Sequence, residues 1–367
     1  MRSNPSNQRL LIDARPLQTA DAGRGIGRYV RGLLEGLVVV GQGPLLGVLV
    51  QSGLPLPDLP AAGLVAYRVN RRRGQRLAVW EDAWQLGREL AEIQPRLFHA
   101  TRLSLPSRSP CPLVVTLHDL IPWALGGRAM LGERVRYWPA RRLLRTADRV
   151  LAVSQRTAED AMRLARVAQA RIRVVGEGVD SRFKPAPGAA ARVAERWGVR
   201  APYLLFVGSL DPRKNPAGLL QAWRTARSRV PDLELVVAGS PGASSPPDGA
   251  RVLGRVSDAE LVDLLSAGAC LLFPSRYEGF GLPLLEAMAC ACPVVAFANS
   301  SLAEVAGDVA TLVPDGDAEA LGKAAAELVL DISRARAARR AGRRHAARFT
   351  WQDVGRQVAE VYSELLA

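Results

Sequence analysis

The order of apolar and helical segments constrains the fold of this chain more than any other feature of its sequence. In the first half, short runs rich in Leu, Val and Ile alternate with segments of helical periodicity at residues 27–38, 79–93, 132–145 and 155–168. The predicted strands are "LLID", "LLGVLV", "LVAYRV", "LFHA", "PLVVTLHD", "RVLAVS" and "IRVVGEG". Strands separated by crossover helices pair in parallel, so this order predicts an α/β fold, a doubly wound parallel sheet with helices on both faces.

The same order starts again in the second half of the chain. Its predicted strands are "YLLFVG", "LELVVAG", "RVLG", "ACLLFPS", "PVVAF" and "ATLVPD", with helices near 215–229, 258–267, 281–290 and 317–330. We therefore expect a Rossmann-like domain over 1–180, a Pro-, Ala- and Gly-rich linker over 181–200, and a second Rossmann-like domain over 201–350. The C-terminal helix, 351–367, is expected to pack back on the first domain. Two such domains in series predict a cleft lined by the loops at the carboxyl ends of both sheets.

The chain is strongly basic, with 49 Lys and Arg against 35 Asp and Glu and a net charge of +14. A basic surface attracts polyanions such as nucleic acids, acidic lipids and phosphorylated substrates. Aromatic residues are few and no recognition motif accompanies the arginines, so we expect no nucleic-acid partner. Lysine occurs at Lys184, Lys214 and Lys323 alone. A lysine at position 214, in a chain that otherwise uses arginine, favours a specific role.

The cysteines and the first residues of the sequence bear on the compartment. Four cysteines form no CxxC pair and have no histidine at metal-ligand spacing, so they are interpreted as small buried residues in a reducing compartment. The stretch "MRSNPSNQRLLIDARPL" lacks the apolar core of a signal peptide. We expect a cytoplasmic protein, either free or peripheral on the inner face of the plasma membrane.

The stretch "RYEGFGLPLLEAMACACPVVA" places Glu278 and Glu286 on either side of a glycine-rich turn that enters an apolar helix. Gly279 and Gly281 permit a tight turn and direct N–H groups outward at a helix N-terminus, which favours an anion site. A carboxylate is repelled by an anion but accepts hydrogen bonds well from vicinal hydroxyls. The pattern therefore favours two hydroxyl-binding glutamates beside a diphosphate, as a nucleoside diphosphate sugar requires. A helix-terminal glutamate and a solvated one are the alternative interpretation.

Six segments together resemble the retaining glycosyltransferases of the two-Rossmann-domain class (GT-B), family four, also called group 1 glycosyltransferases. In the family's order they are "GIGRYVRGLLEGL", "TLHDLIP", "LFVGSLDPRKNPAGLLQAW", "LGRVSDAEL", "SRYEGFGLPLLEAMACACPVVA" and "NSSLAEVAGDVATLVPDGDAEAL". The resemblance covers most of the chain and is closest to the mannosyl- and rhamnosyltransferases of surface polysaccharide assembly. It implies two Rossmann-like domains that face each other across a cleft.

The resemblance implies roles for the residues of this glycine-rich stretch. Glu278 is expected to hold hydroxyls of the donor sugar, and Glu286 is expected to hold the ribose hydroxyls. Phosphate and sugar oxygens are expected on the backbone of Gly279, Phe280, Gly281 and Leu282.

Further donor residues follow from the segments "VGSLDPRKN" and "GRVSDAEL". Arg213 and Lys214 are expected to stabilise the departing nucleoside diphosphate, and the backbone at Val256 to contact the base. Many relatives carry Gly-Arg where this chain has Gly208-Ser209, so Arg213 is the expected substitute for that arginine. From the residues alone, "GRVSDAEL" predicts a helix-capping box.

The first domain contributes a histidine after a predicted strand and a glycine-rich loop before a predicted helix. A lone histidine is usually structural, but the resemblance implies that His118 contacts the donor sugar. Asp119 is expected to orient His118 or to meet the acceptor. In "DAGRGIGRY", the backbone at Gly27 is expected to lie against the diphosphate, with Gly25 on the acceptor side.

No metal and no cofactor are expected. The Asp-x-Asp formed by Asp315 and Asp317 is explained by a turn and a helix N-cap. The expected co-substrate is a nucleoside diphosphate sugar, with GDP-mannose favoured. The family retains anomeric configuration, which implies same-face attack in which the donor phosphate takes the acceptor proton.

Arginine and tryptophan occur together in residues 68–90 (Arg68 to Leu90), where five arginines precede a helix with Trp80 and Trp84. Residues 134–145, "RVRYWPARRLLR", repeat the mixture. Such a composition suits an anionic membrane surface, and a solvated face with core tryptophans explains it equally well. The basic helix predicted at 334–348 is interpreted as a solvated face.

The favoured function is a retaining transferase that moves a hexose, with mannose favoured, from a nucleotide sugar to a glycan or lipid-linked acceptor. A nucleotide-sugar epimerase or a phosphorylase on the same fold is the alternative enzyme. A non-catalytic basic protein that binds polyanions is the alternative from another class. A hydrolase is disfavoured, because its carboxylates need free access to the scissile bond rather than places around a phosphate.

Overall fold

The computed structural model describes residues 9–19, 22–23, 25–59, 64–70, 78–200, 202–240 and 249–367. It divides the chain into two units: unit 1 comprises residues 1–178 and 350–367, and unit 2 comprises residues 179–349. Each unit contains one of the two predicted sheets, so the α/β fold with two parallel sheets is confirmed.

Unit 1 is built on seven strands that all pair in parallel. The strands are β1 (Leu10–Asp13), β2 (Leu46–Gln51), β3 (Val65–Val69), β4 (Leu97–Ala100), β5 (Leu113–Leu117), β6 (Arg149–Ala152) and β7 (Ile172–Val174). The helices between them are α1 (Gly25–Val39), α2 (Ala78–Ile93), α3 (Ile121–Ala124), α4 (Leu131–Leu143) and α5 (Gln155–Ala165). The sheet order is β3-β2-β1-β4-β5-β6-β7. Chain order reverses between β1 and β4, and ligands of such sheets bind beyond the carboxyl ends at this reversal.

Unit 2 repeats the same winding with six parallel strands. Its strands are β8 (Tyr203–Val207), β9 (Glu234–Ala238), β10 (Arg251–Gly254), β11 (Cys270–Phe273), β12 (Val294–Phe297) and β13 (Thr311–Val313). Its helices are α6 (Ala189–Trp197), α7 (Pro216–Arg229), α8 (Asp258–Ala267), α9 (Leu282–Ala289), α10 (Leu302–Ala306), α11 (Ala318–Leu330) and α12 (Ile332–Ala346). The order β10-β9-β8-β11-β12-β13 places the reversal between β8 and β11. The loops after these two strands therefore meet at one edge of the sheet.

The last helix of the chain, α13 (Trp351–Leu366), belongs to unit 1 and packs on α1. The two helices approach so closely that a Cβ at Gly36 would lie 2.0 Å from the carbonyl oxygen of Trp351. A Cβ at Gly355 would lie 2.3 Å from the carbonyl carbon of Gly36. These two glycines therefore permit the contact by lacking a side chain.

Residues 181–200, predicted as a linker, lie within unit 2 and contain α6. Helix α6 packs on α8 because Val193 forms part of a buried apolar face. Arg192 adds a hydrogen bond from its Nε to Asp263 at 2.8 Å. The Pro- and Gly-rich composition thus marks the entry to unit 2 rather than a free connection.

No helix within the described ranges has both the length and the apolar character needed to cross a bilayer.

Candidate active site

Three of the predicted site residues meet at the reversal point of unit 2. Arg213 and Lys214 lie in a short turn after β8, and Glu278 lies in the loop after β11. The Glu278 carboxylate accepts a hydrogen bond from Lys214 Nζ at 2.7 Å and one from Arg213 Nη1 at 2.8 Å. The sequence assigns these residues to the same substrate, and the structure joins them directly as a cation–carboxylate–cation cluster.

Burial and charge act in opposite directions on the Glu278–Lys214 pair. Burial raises the pKa of the Glu278 carboxyl, but the cations of Lys214 and Arg213 outweigh it and hold this pKa below its ordinary value. Burial also lowers the pKa of Lys214, which the charge of Glu278 counteracts. The Lys214 ammonium lies 4.7 Å from the centroid of the Phe273 ring, a cation–π contact that compensates part of its lost hydration. Glu278 is therefore an ionised carboxylate at neutral pH.

Local backbone bonds fix the two loops against each other. The N–H of Arg276 donates to the carbonyl of Arg213 at 2.9 Å. The hydroxyl of Ser301 donates to the carbonyls of Glu278 at 3.0 Å and Phe280 at 2.7 Å. After Lys214, Asn215 takes a left-handed φ of 56° and its side chain caps α7. The cluster is thus set in a preorganised backbone rather than on free side chains.

The glycine-rich turn enters α9 as the sequence predicts. Gly281 is the N-cap of α9 with a φ of 113°, a conformation that side chains disfavour, and a Cβ there would lie 3.1 Å from Leu302. Phe280 and Leu282 are buried on either side of it. The first turn of α9, together with Gly279 before it, is the N-terminus at which the predicted phosphate would meet backbone N–H groups.

Glu286 lies in the second turn of α9 and is 2% exposed. It is thus a buried carboxyl of the helix rather than the solvated glutamate of the alternative interpretation. Its predicted ribose contact stays a prediction.

The other predicted donor residues of unit 2 that the structure describes are Gly208, Ser209 and Val256. Gly208 follows β8 with a φ of 136°, and a Cβ there would lie 3.4 Å from Lys214 Cε. The Ser209 hydroxyl donates to the Asp211 carboxylate. Val256 is half-buried and precedes Ser257, which forms the predicted capping box with α8.

In unit 1, His118 follows β5 and both of its ring nitrogens have partners. Nδ1 lies 3.2 Å from Glu177 Oε1, and Nε2 lies 3.1 Å from the carbonyl oxygen of Thr101. The Tyr29 ring meets the imidazole edge to face, with 4.8 Å between the ring centroids. These contacts fix the ring at the carboxyl edge of the sheet, so Glu177 and Thr101 orient it.

Asp119 directly follows His118, and its predicted role, orienting that histidine or meeting the acceptor, stays a prediction. Its carboxylate accepts a hydrogen bond from the N–H of Ile121 at 3.0 Å, at the start of α3. Gly25 is the exposed first residue of α1, and Gly27 is buried in the first turn of that helix. Asp21 and Arg24 of the same loop lie outside the described residues.

Sequence reasoning missed a buried charge cluster at the reversal point of unit 1. Arg15 donates to Asp13 at 2.7 Å and to Asp82 at 2.8 Å, and all three side chains are at most 1% exposed. Arg102 Nε lies 3.6 Å from Asp13. Burial raises the pKa of the Asp13 carboxyl, but Arg15 and Arg102 together lower it to about 2. The signal in the sequence was a charged residue directly after an apolar strand, as in "LLIDAR".

A second missed feature is a chain of buried hydroxyl and imidazole groups in unit 1. Tyr29 bonds Thr116 at 2.9 Å, Thr116 bonds His99 Nε2 at 2.7 Å, and His99 Nδ1 bonds Tyr362 at 2.5 Å. Burial, with a smaller contribution from His118, lowers the pKa of His99 to about 3. This chain links α1, two strands and α13 through the interior of unit 1.

The Asp-x-Asp pair has the structural role that its context predicts. Asp317 is the N-cap of α11 and accepts from the N–H of Ala320 at 2.8 Å. Asp315 accepts from the Asn299 side chain at 2.5 Å. Elsewhere in the described ranges, no group of three or more His, Cys, Asp and Glu side chains is arranged to hold a metal ion.

Family models match both parts of the chain. Residues 23–183 match the model described as Glycosyltransferase Family 4, and residues 190–345 match the model described as Glycosyl transferases group 1. The chain is 30% identical over 319 residues to O-antigen chain mannosyltransferase B of Escherichia coli, which covers 82% of this chain and 80% of that protein.

Solved structures of similar fold cover nearly the whole chain. Sucrose-phosphate synthase from Thermosynechococcus elongatus has a TM-score of 0.79 at 23% identity, covering 98% of this chain and 99% of the other. HepE of Anabaena, solved with UDP and glucose, has a TM-score of 0.72 at 19% identity and covers 98% and 100%. These two likenesses show the GT-B fold, while the family models and the mannosyltransferase show the relationship. The chain belongs to the group 1, family 4 glycosyltransferases.

Proposed function

We propose that this glycosyltransferase moves a hexose, with mannose favoured, from a nucleoside diphosphate sugar to a hydroxyl of a glycan or lipid-linked acceptor, with retention at the anomeric carbon. GDP-mannose is the favoured donor. The relationship to an O-antigen chain mannosyltransferase supports the sugar. A nucleotide sugar as donor is supported by the UDP and glucose in HepE.

The observation that carries the proposal is the Arg213–Glu278–Lys214 cluster. Two cations and one carboxylate leave a net charge of 2 − 1 = +1 beside the N-terminus of α9, whose dipole also attracts anions. The Arg213 side chain is 27% exposed, so its guanidinium is accessible to an entering diphosphate. In this proposal Glu278 receives sugar hydroxyls while the cations and the helix meet the phosphates, without a metal ion.

The transfer step balances without a further reactant. The bond between the anomeric carbon and the β-phosphate oxygen breaks, and its electron pair leaves on the nucleoside diphosphate. The acceptor hydroxyl oxygen attacks the same face, and its proton passes to the departing phosphate oxygen. Arg213 and Lys214 stabilise the negative charge that develops there, and His118 meets the sugar from unit 1.

Glu278→Gln tests the proposal most directly. The amide keeps a hydrogen-bond acceptor for Lys214 but removes the negative charge, so the net charge of the cluster rises from +1 to +2. Calorimetry should find affinity for the nucleoside diphosphate unchanged or tighter, while transfer falls by about 10²–10³-fold. Glu286→Gln should instead weaken binding of the nucleotide itself.

Glu319→Gln is the matched control, because Glu319 is also paired with a lysine, Lys323 at 2.6 Å, but on the surface of unit 2. It should change neither quantity. Equal loss of nucleotide affinity in the Glu278 and Glu286 variants contradicts the division of roles. If no nucleotide or nucleotide sugar in a panel binds with a Kd below about 1 mM, the proposal of a nucleotide sugar as donor is wrong. Conversion of the nucleotide sugar to its epimer, without transfer, favours the epimerase.

A further inference from the structure

One side of α4 exposes apolar residues at helical spacing. Leu131, Val135 and Trp138 are 58%, 60% and 45% exposed and lie four and three residues apart, so they form a single stripe. Arg142 continues the stripe one turn later, with its guanidinium carbon 4.8 Å from the centroid of the Trp138 ring. Such a stripe on a helix normally faces a protein core, and here it faces outward.

Helix α2 extends the apolar stripe. Trp80 stacks on Trp138 with 6.4 Å between ring centroids and an interplanar angle of 16°. Trp84, one turn further along α2, is 77% exposed, and exposed Arg88 follows after another turn. We call Trp80, Trp84, Leu131, Val135 and Trp138 the aromatic face.

The exposure of Trp84 contradicts the interpretation of this segment as a solvated face with core tryptophans. The core side of α2 is occupied by Leu86 and Leu90, which are fully buried. Single exposed apolar residues are ordinary, but four exposed apolar residues together with half-buried Trp80 on two packed helices mark an interaction surface.

We propose that the aromatic face docks on a bilayer surface rich in anionic lipids. Helix α4 carries Arg134, Arg136, Arg141 and Arg142 against one acid, Glu133, a net charge of 4 − 1 = +3. The rings and aliphatic chains enter the headgroup region, and the guanidinium groups bind lipid phosphates. A nucleic acid would satisfy the arginines but offers no apolar environment to Leu131 and Val135. The residues 71–77, which the sequence makes basic, lie outside the described ranges and are not needed for this proposal.

The test is flotation of the full chain with vesicles and does not require sugar transfer. Vesicles of phosphatidylcholine with about a third phosphatidylglycerol should bind the protein, and phosphatidylcholine alone should bind it at least about tenfold less. Trp84→Ala combined with Val135→Ser should reduce binding to the anionic vesicles by about tenfold. Arg142→Glu should reduce it similarly and make the remainder less dependent on salt.

Matched control variants lie in unit 2. Ile332 is 65% exposed, and Arg344 is exposed on the arginine-rich α12. Ile332→Ser and Arg344→Glu should leave vesicle binding unchanged, because α12 contains no Trp, Tyr or Phe to enter the headgroup region. Circular dichroism establishes that each variant is folded.

Four outcomes would overturn the proposal. They are equal binding to both kinds of vesicle, no binding to either, unchanged binding in the aromatic-face variants, and loss of binding with Arg344→Glu.

Sedimentation without vesicles addresses other occupants: a dimer that Trp84→Ala dissociates assigns the face to a second copy of the chain. Tight binding of an oligonucleotide in place of vesicles assigns it to nucleic acid.

Discussion

The two sheets share one strand order, but the charged groups at their reversal points are held differently. In unit 1, Arg15 lies between Asp13 and Asp82, all fully buried, and Arg102 brings the sum to 2 − 2 = 0. In unit 2, the carboxylate of Glu278 lies between the cations of Lys214 and Arg213. The topology supplies the same place in both units, and the sign of the central group distinguishes them.

The partners of each cluster show what the difference means. In unit 1, the Thr101 hydroxyl donates to the carbonyl of Asp13 at 2.6 Å and Ser104 donates to Asp82, so the charges hold the ends of β1, β4 and α2 together. The side chains of Arg102 in unit 1 and Arg213 in unit 2 are similarly exposed, at 25% and 27%, so exposure does not separate the clusters. A buried cation shared by two carboxylates stabilises the fold, whereas two cations around one carboxylate can bind an anionic ligand.

The largest expected effect separates these two roles in one pair of variants. Arg15→Met leaves Asp13 and Asp82 buried without their shared cation, so the free energy of unfolding of unit 1 should fall by about 3–5 kcal/mol. Arg213→Met leaves the Glu278–Lys214 pair intact, so it should cost less than about 1 kcal/mol while weakening nucleoside diphosphate binding. Urea denaturation measures the first quantity and calorimetry the second. Similar stability losses in both variants would mean that the two clusters do not differ in role.

The sequence predicts the elements of this comparison well. The run "LLID" is β1, "ACLLFPS" contains β11, and the helix expected near 281–290 is α9 at 282–289. Periodicity and strand length carry this information, because each element buries one continuous apolar surface. The same periodicity overran at α5, which ends at Ala165 because Arg166 adopts a left-handed φ of 57°.

The sequence does not predict which side chains meet. Arg15 and Asp82 are 67 residues apart, and His118 and Glu177 are 59 apart. Their contacts arise only when strand order and helix packing are known. Even Arg213, Lys214 and Glu278, all predicted as site residues, were assigned to different parts of the donor rather than to one another. The hydrophobic pattern of the sequence locates an edge of the sheet, but which side chains pair at that edge depends on tertiary structure.

A smaller effect should appear in the pH dependence of unit 1. The pKa of His99 is about 3 in the folded chain because of burial, against about 6.5 when unfolded. Between these values the unfolded state binds one more proton, so the free energy of unfolding should fall as pH falls, by up to about 1.4 kcal/mol per pH unit. His99→Gln should remove the contribution of this histidine to the slope. Denaturation of both proteins between pH 4 and pH 6, a range of about two pH units, measures the difference. Parallel slopes in the two proteins would contradict a neutral, buried His99.

The smallest expected effect tests the pair of cations in unit 2 by adding a third. Ser209→Arg introduces the arginine that the family resemblance leads us to expect after Gly208, and Ser209 is half-buried beside Asp211. One more exposed cation near the cluster should tighten nucleoside diphosphate binding by about two- to fivefold and steepen its salt dependence, with little change in stability. Ser209→Ala is the control for loss of the Asp211 hydrogen bond and should leave affinity nearly unchanged.

Calorimetry at two salt concentrations distinguishes the cases: if Ser209→Arg weakens binding, Asp211 neutralises the new arginine or the site excludes it. If Ser209→Ala weakens binding equally, the hydroxyl itself orders the loop that carries Arg213.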